Sequence, residues 1–180
     1  MSEYYTMKIA GLERNLEKFP VNENLDIAAF IIFGDVELTV KASEELLKKA
    51  PEFDCILTPE AKSIPLAYEM ARQSGKPYVI ARKGVKVYMR NSIEVSVNSI
   101  TTQSQQKLYL GETEVNKIKG KKVLIVDDVI STGESLVAVR ELVKKAGAEE
   151  ATSCAVLAEG DAADRKDIIF LEKLPLFFKN

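Results

Sequence analysis

Two adjacent carboxylates, Asp127 and Asp128, stand just before three hydroxyl side chains gathered around one glycine, in the run Ser131-Thr132-Gly133-Glu134-Ser135. The apolar run Val123-Leu124-Ile125-Val126 leads into the acids. It is short, rich in β-branched residues and uninterrupted, so it reads as a central strand buried on both faces. Beyond the glycine, Leu136, Val139, Leu142 and Val143 recur at helical spacing. A parallel strand that opens into a helix presents backbone N–H groups and the positive end of the helix dipole at one sheet edge, which suits an anion. Gly133 would let the backbone approach that anion, and Ser131, Thr132 and Ser135 add hydroxyl donors. The two acids cannot bind the same anion, so they face vicinal hydroxyls, a cation, or both. A phosphate cradle beside paired carboxylates suits a ribose 5-phosphate. A plainer account is a buried strand ending in a solvated acidic turn, with Ser135 or Thr132 capping the helix. It explains the strand and the helix, but not two acids and three hydroxyls around one glycine.

The elements that must position these residues follow from periodicity. Residues 36–50 read as a helix with Ala42, Leu46 and Leu47 on one side. Cys55-Ile56-Leu57-Thr58 reads as a short strand, and Ile64 to Gln73 as a helix stopped at Ser74-Gly75. Tyr78-Val79-Ile80-Ala81 is the next strand, and residues 93–100 and 106–110 read as a polar hairpin. The helix after Gly133 runs to Lys145 with a stop at Gly147, and Ala151 to Leu157 is a further strand. This alternation argues a parallel α/β sheet. Residues 1–35 and 160–180 do not follow it and read as an appended subdomain on a core of about 36–159, all within one domain of residues 1–180.

Two other stretches carry chemistry. Thr58-Pro59-Glu60-Ala61-Lys62-Ser63 lies between a strand and a helix, so it repeats the strand-end geometry, and its small residues and lysine suit a pyrophosphate. A simple connection with a solvated Lys62 is the plainer account. Arg82-Lys83-Gly84-Val85-Lys86 places three cations at another strand end, in a chain of net charge −2; alone, it would be a solvated basic turn.

Composition narrows the function classes. With 180 residues, the chain is long enough for one domain with a substantial core. A net charge of −2 and a pI of about 5.5 give no electrostatic reason to bind nucleic acid. No apolar run is long enough to span a membrane and no signal peptide is apparent, so a cytoplasmic protein without membrane contact is expected. Cys55 and Cys154 are flanked by apolar residues and read as core thiols. The absence of histidine excludes imidazole acid–base catalysis and leaves oxygen ligands for any metal, hence a hard cation. No GxxxxGK[ST] run occurs, which excludes a Walker A loop. The acids and late lysine of a phosphoacceptor receiver domain cannot be placed either.

The stretch Val123 to Ser135 resembles the 5-phosphoribosyl-1-pyrophosphate (PRPP) signature of the type I phosphoribosyltransferases, and other segments resemble their purine branch, adenine phosphoribosyltransferase in particular. Glu60-Ala61-Lys62-Ser63 is similar to that enzyme's acid–small–Arg–Gly pyrophosphate loop, with Lys for Arg and Ser for Gly. Ile31-Ile32-Phe33-Gly34-Asp35-Val36 resembles its Ile-x-Phe-Arg-Asp-Ile segment, and Lys173-Leu174-Pro175-Leu176-Phe177-Phe178 its Pro-Phe-Phe ending. The resemblance implies a fold with a parallel-sheet type I phosphoribosyltransferase core, a flexible β flap within residues 88–110 and a small hood subdomain.

It also implies roles. Asp127 and Asp128 would hold the ribose hydroxyls and favour positive charge on the sugar. Ser131, Thr132, Gly133, Glu134 and Ser135 would bind the 5-phosphate of PRPP. Ala61, Lys62, Ser63, Arg82, Lys83 and Lys86 would bind its pyrophosphate, and Ile32 and Phe33 the purine. Mg²⁺ would be held through substrate and water near the acids. The implied activity is purine phosphoribosyl transfer in nucleotide salvage, adenine being the first expectation, by a homodimer. The flap departs from the adenine enzymes, because Thr102 stands where their Glu is expected; Ser99-Ile100-Thr101-Thr102 is closer to the Ser-x-Thr-Lys of xanthine phosphoribosyltransferases and purine-operon repressors. Xanthine or hypoxanthine as the base, and a non-catalytic PRPP-sensing module, are the alternatives.

Overall fold

In the computed structural model, which describes residues 3–98 and 105–179, the chain opens with the antiparallel strands β1 (Tyr4–Ile9), β2 (Leu12–Asn22) and β3 (Leu25–Ala28). α1 (Val36–Lys49) follows. Asp35 caps it by accepting from Leu38 N–H at 3.0 Å, and Arg14 of β2 grips the same carboxylate through Nε at 2.6 Å and Nη2 at 3.0 Å. The hood is thereby tied to the start of the core.

β4 (Cys55–Pro59), α2 (Ile64–Ser74) and β5 (Tyr78–Ala81) come next. β6 (Ile93–Asn98) and β7 (Gln105–Leu110) pair as an antiparallel hairpin. The short helix α3 (Glu112–Ile118) then leads into β8 (Lys122–Ile130), α4 (Glu134–Lys145) and β9 (Glu149–Glu159). A 3-10 turn at Gly160–Asp164 precedes β10 (Ile168–Leu174), and β11 (Phe177–Phe178) ends the described chain by pairing with β3.

β4, β5, β8, β9 and β10 form a parallel sheet in the order β10-β9-β8-β4-β5. Its central strands are buried on both faces, as their uninterrupted apolar runs require. One face packs against α1, α2 and the hood, around Ile32, Leu38, Leu66 and Val126. The other packs against α4, α3 and the hairpin, around Leu110, Ile118, Ile125 and Val139. From β4 the chain moves outward to β5, and from β8 it moves the other way to β9. The β4–β8 boundary is therefore the topological switch point, where parallel sheets bind ligands at their C-terminal edge. β4 pairs with β8 only as far as Ile125, so the two strands part just before Asp127.

Several features differ from the sequence expectation. β10, grouped above with the appended ends, is an edge strand of the main sheet. Only a short turn links it to β9, where a helical crossover would ordinarily join parallel strands. α3 was not expected, because a seven-residue helix burying Ile118 shows little periodicity. The polar hairpin is not weakly packed throughout: Val95, Leu108 and Leu110 are buried against α4 and the sheet. Ser99-Ile100-Thr101-Thr102 lies outside the described residues.

Candidate functional site at the β4–β8 edge

β8 continues through the acid pair to Ile130, so Asp127 and Asp128 are strand residues whose backbone is fixed by β9. Asp128 is buried. Asp127 accepts from the backbone N–H of Asp128 at 2.9 Å. Burial first, then the charge of Asp128 and a hydrogen bond between the two side chains, push the Asp127 carboxyl well above the ordinary carboxylate range, against the pull of a hydrogen bond from Ser63. Burial and the neighbouring carboxylate thus favour the neutral form of Asp127 in the ligand-free protein. Asp128 Oδ2 has no hydrogen-bond partner and faces Lys62 Nζ at 3.3 Å.

The turn after β8 leaves its donors open. Gly133 is the N-cap of α4 at φ 82, and no side chain caps the helix. Neither Ser135 nor Thr132 plays the capping role that the plainer account required. Ser131, Thr132 and Ser135 are exposed. Uncapped N–H groups, exposed hydroxyls and the helix dipole make an anion cradle beside the acids.

The turn after β4 is built otherwise. Ser63 is wholly buried; its hydroxyl accepts from Thr58 Oγ1 at 2.7 Å and lies 3.2 Å from the Pro59 carbonyl. Its side chain serves the loop and Asp127 rather than solvent. Ala61 and Lys62 are exposed, and the Glu60–Ala61 peptide is cis. Glu60 accepts from Lys83 N–H at 3.0 Å and stands 3.6 Å from Arg82 Nη2. Arg82 exchanges two backbone hydrogen bonds with Tyr109 of the hairpin, and its Nε is buried without a partner. The structure thus links Lys62, Ser63, Arg82 and Lys83 to one edge. Lys86 lies on an exposed turn whose backbone bonds to Met89.

On the hood, Ile32 is fully buried and its carbonyl accepts from Asp35 N–H at 3.1 Å, whereas Phe33 is 51% exposed and not a core residue. Glu159, at the end of β9, was missed from sequence. Burial raises its carboxyl pKa, while the charge of Lys62 opposes the rise. Arg165 was missed too: its guanidinium lies against Gly133. No local signal marks it, since Asp164-Arg165-Lys166-Asp167 reads as surface turn.

Two acids alone make a poor metal site, and among the described residues no group of three or more acidic, cysteine or histidine side chains could hold a metal. The buried Asp128 Oδ2, which faces a cation at Lys62 but accepts no hydrogen bond, nevertheless fits a hard cation whose other ligands come with the substrate.

Residues 36–175 match the phosphoribosyl transferase domain family. A hypoxanthine/guanine phosphoribosyltransferase of Methanococcus voltae is 33% identical over 162 residues, 86% of this chain and 83% of the relative. One from Methanotorris igneus is 42% identical over 108 residues, 60% of this chain and 55% of the relative. Among solved structures, an adenine phosphoribosyltransferase of Thermoanaerobacter pseudethanolicus superposes with a TM-score of 0.73 at 22% identity, covering 88% of this chain and 95% of that one. The Giardia lamblia enzyme complexed with 9-deazaadenine gives 0.71 at 16% identity, covering 94% and 93%.

Proposed function

We propose that this chain, which belongs to the phosphoribosyl transferase family, transfers 5-phosphoribose from PRPP to a purine base and releases pyrophosphate. The observation that carries the reading is the acid pair at the switch point, flanked on one side by the uncapped start of α4 and on the other by Lys62. The 131–135 turn anchors the 5-phosphate. Asp127 and Asp128 accept from the ribose hydroxyls and, as carboxylates, stabilise positive charge on the sugar as the bond to pyrophosphate breaks. Lys62 exchanges Asp128 for the pyrophosphate, with Lys83 and Arg82 behind it. Phe33 is placed to stack on the base. Mg²⁺, held beside Asp127 and Asp128 and completed by substrate oxygens, would supply charge neutralisation of the departing pyrophosphate.

For the base, a 6-oxopurine is the first reading, because the two sequence relatives named above, 33% and 42% identical, are hypoxanthine/guanine enzymes. The adenine enzymes match at identities that establish fold alone. Adenine is the second reading, supported by the Ile32-Phe33-Gly34-Asp35 hood. A site that hydrogen-bonds one pattern leaves buried groups unpaired against the other. Turnover with PRPP and Mg²⁺, with hypoxanthine, guanine, xanthine and adenine in competition, tests this. Turnover is expected, with kcat/KM highest for hypoxanthine or guanine; a higher value for adenine would reverse the choice. PRPP binding without turnover of any base would favour a sensing module. The partner in solution is a second copy, a reading that rests on the family resemblance; light scattering at 20.0 kDa would contradict it.

A further inference from the structure

Arg165 occupies an unexpected place for a residue of the turn before β10. An ideal Cβ on Gly133 would collide with Arg165 Nη1, so the guanidinium lies directly over the glycine of the cradle. Its orientation is fixed from behind. Nε and Nη2 donate to the two carboxylate oxygens of Asp167 at 2.9 and 2.7 Å, and Nη1 is the nitrogen turned to the loop. Asp167 is shared, since Arg140 of α4 donates to it through Nη1 at 2.7 Å and reaches Glu150 through Nε at 3.0 Å. Hydrogen bonds from Arg165 first, then Arg140, hold the Asp167 carboxyl well below its ordinary range. Asp167 is thus held by both guanidinium groups, while Nη1 of Arg165 makes neither of the two bonds from Arg165 to it.

The cradle itself carries no cation; its one charged residue is Glu134. A dianionic phosphate there would meet N–H groups and hydroxyls but no full positive charge from the loop.

We infer that Arg165 binds the 5-phosphate of PRPP, with Asp167 and Arg140 holding its fork so that Nη1 reaches the anion beside the 131–135 turn. This rests on reading that turn as the 5-phosphate site. A planar fork can grip Asp167 along one edge and an anion with its remaining nitrogen, which an ammonium cannot reproduce. Binding of ribose 5-phosphate and of pyrophosphate to wild type, Arg165→Gln and Arg165→Lys, with thermal melts and PRPP kinetics, tests the inference. Arg165→Gln should weaken ribose 5-phosphate binding and raise the PRPP KM by roughly 10- to 100-fold, that is, the loss of a hydrogen bond to a charged group. Pyrophosphate binding and the purine KM should hold, and Arg165→Lys should recover part of the loss. Unchanged ribose 5-phosphate binding in a folded Arg165→Gln protein would overturn the assignment. Equal weakening of both ligands with a lowered melt, which is the signature of a brace, would overturn it as well. Wild-type protein that neither binds ribose 5-phosphate nor turns over PRPP would instead sink the transferase reading, and this inference with it.

Discussion

The turns after β4 and β8 leave the same sheet edge and each opens into a helix, yet they use their hydroxyls in opposite ways. In the β4 turn, Ser63 is buried and bonded to Thr58, so the loop is stiff and offers its ligand Lys62 and backbone. In the β8 turn, Ser131, Thr132 and Ser135 are exposed and the helix start is uncapped. A strand–turn–helix at a switch point is therefore only a placement. Whether it binds through side chains or merely positions a cation depends on which hydroxyls are already satisfied within the protein.

The largest test of that contrast removes the acids between the two turns. Asp127→Asn combined with Asp128→Asn should lower kcat/KM for PRPP by roughly a thousandfold or more, read by steady-state kinetics. The fold should survive. Because the Asp127 carboxyl is raised in the native protein, the native state binds more protons than the unfolded state from the ordinary value of 3.8 upward to the raised one. Ligand-free stability should therefore fall as pH rises through that window, and Asp127→Asn should flatten the fall and gain about 1–2 kcal/mol near neutral pH in urea titrations. Unchanged turnover in the double variant would refute the site.

A finer test exchanges one serine in each turn. Ser63→Ala leaves Thr58 Oγ1 without its buried acceptor and should cost about 1–3 kcal/mol of stability, while the PRPP KM changes little. Ser131→Ala should leave stability within about 0.5 kcal/mol and raise the PRPP KM about 5- to 10-fold. Similar behaviour of the two variants in melts and kinetics would erase the distinction. The smallest expected effect concerns the hairpin: amides of Val95, Leu108 and Leu110 should exchange slowly with or without PRPP, since these residues are packed at its base. Fast exchange there would show a hairpin that opens from its root.

Much of this was legible in the residues. Val123–Val126 announced a buried parallel strand, and the acids and hydroxyls after it announced the cradle, because both follow from local period and strand-end geometry. β10 was not legible as part of the sheet, since its link to β9 breaks the strand–helix rhythm. The hood strands were not either, because Arg14 and Lys18 alternate with Leu12 and Leu16 on one face and blur the apolar pattern.

Local sequence set the chemistry of the strand ends: which residue types gather within a few positions of each other, and that a helix begins there. Only the tertiary structure decided that Lys62 meets Asp128, that Ser63 turns inward while Ser131 turns out, and that Arg165 lies over Gly133. Those contacts join segments far apart in the chain. Sheet order and packing bring them together, and no local periodicity carries that information.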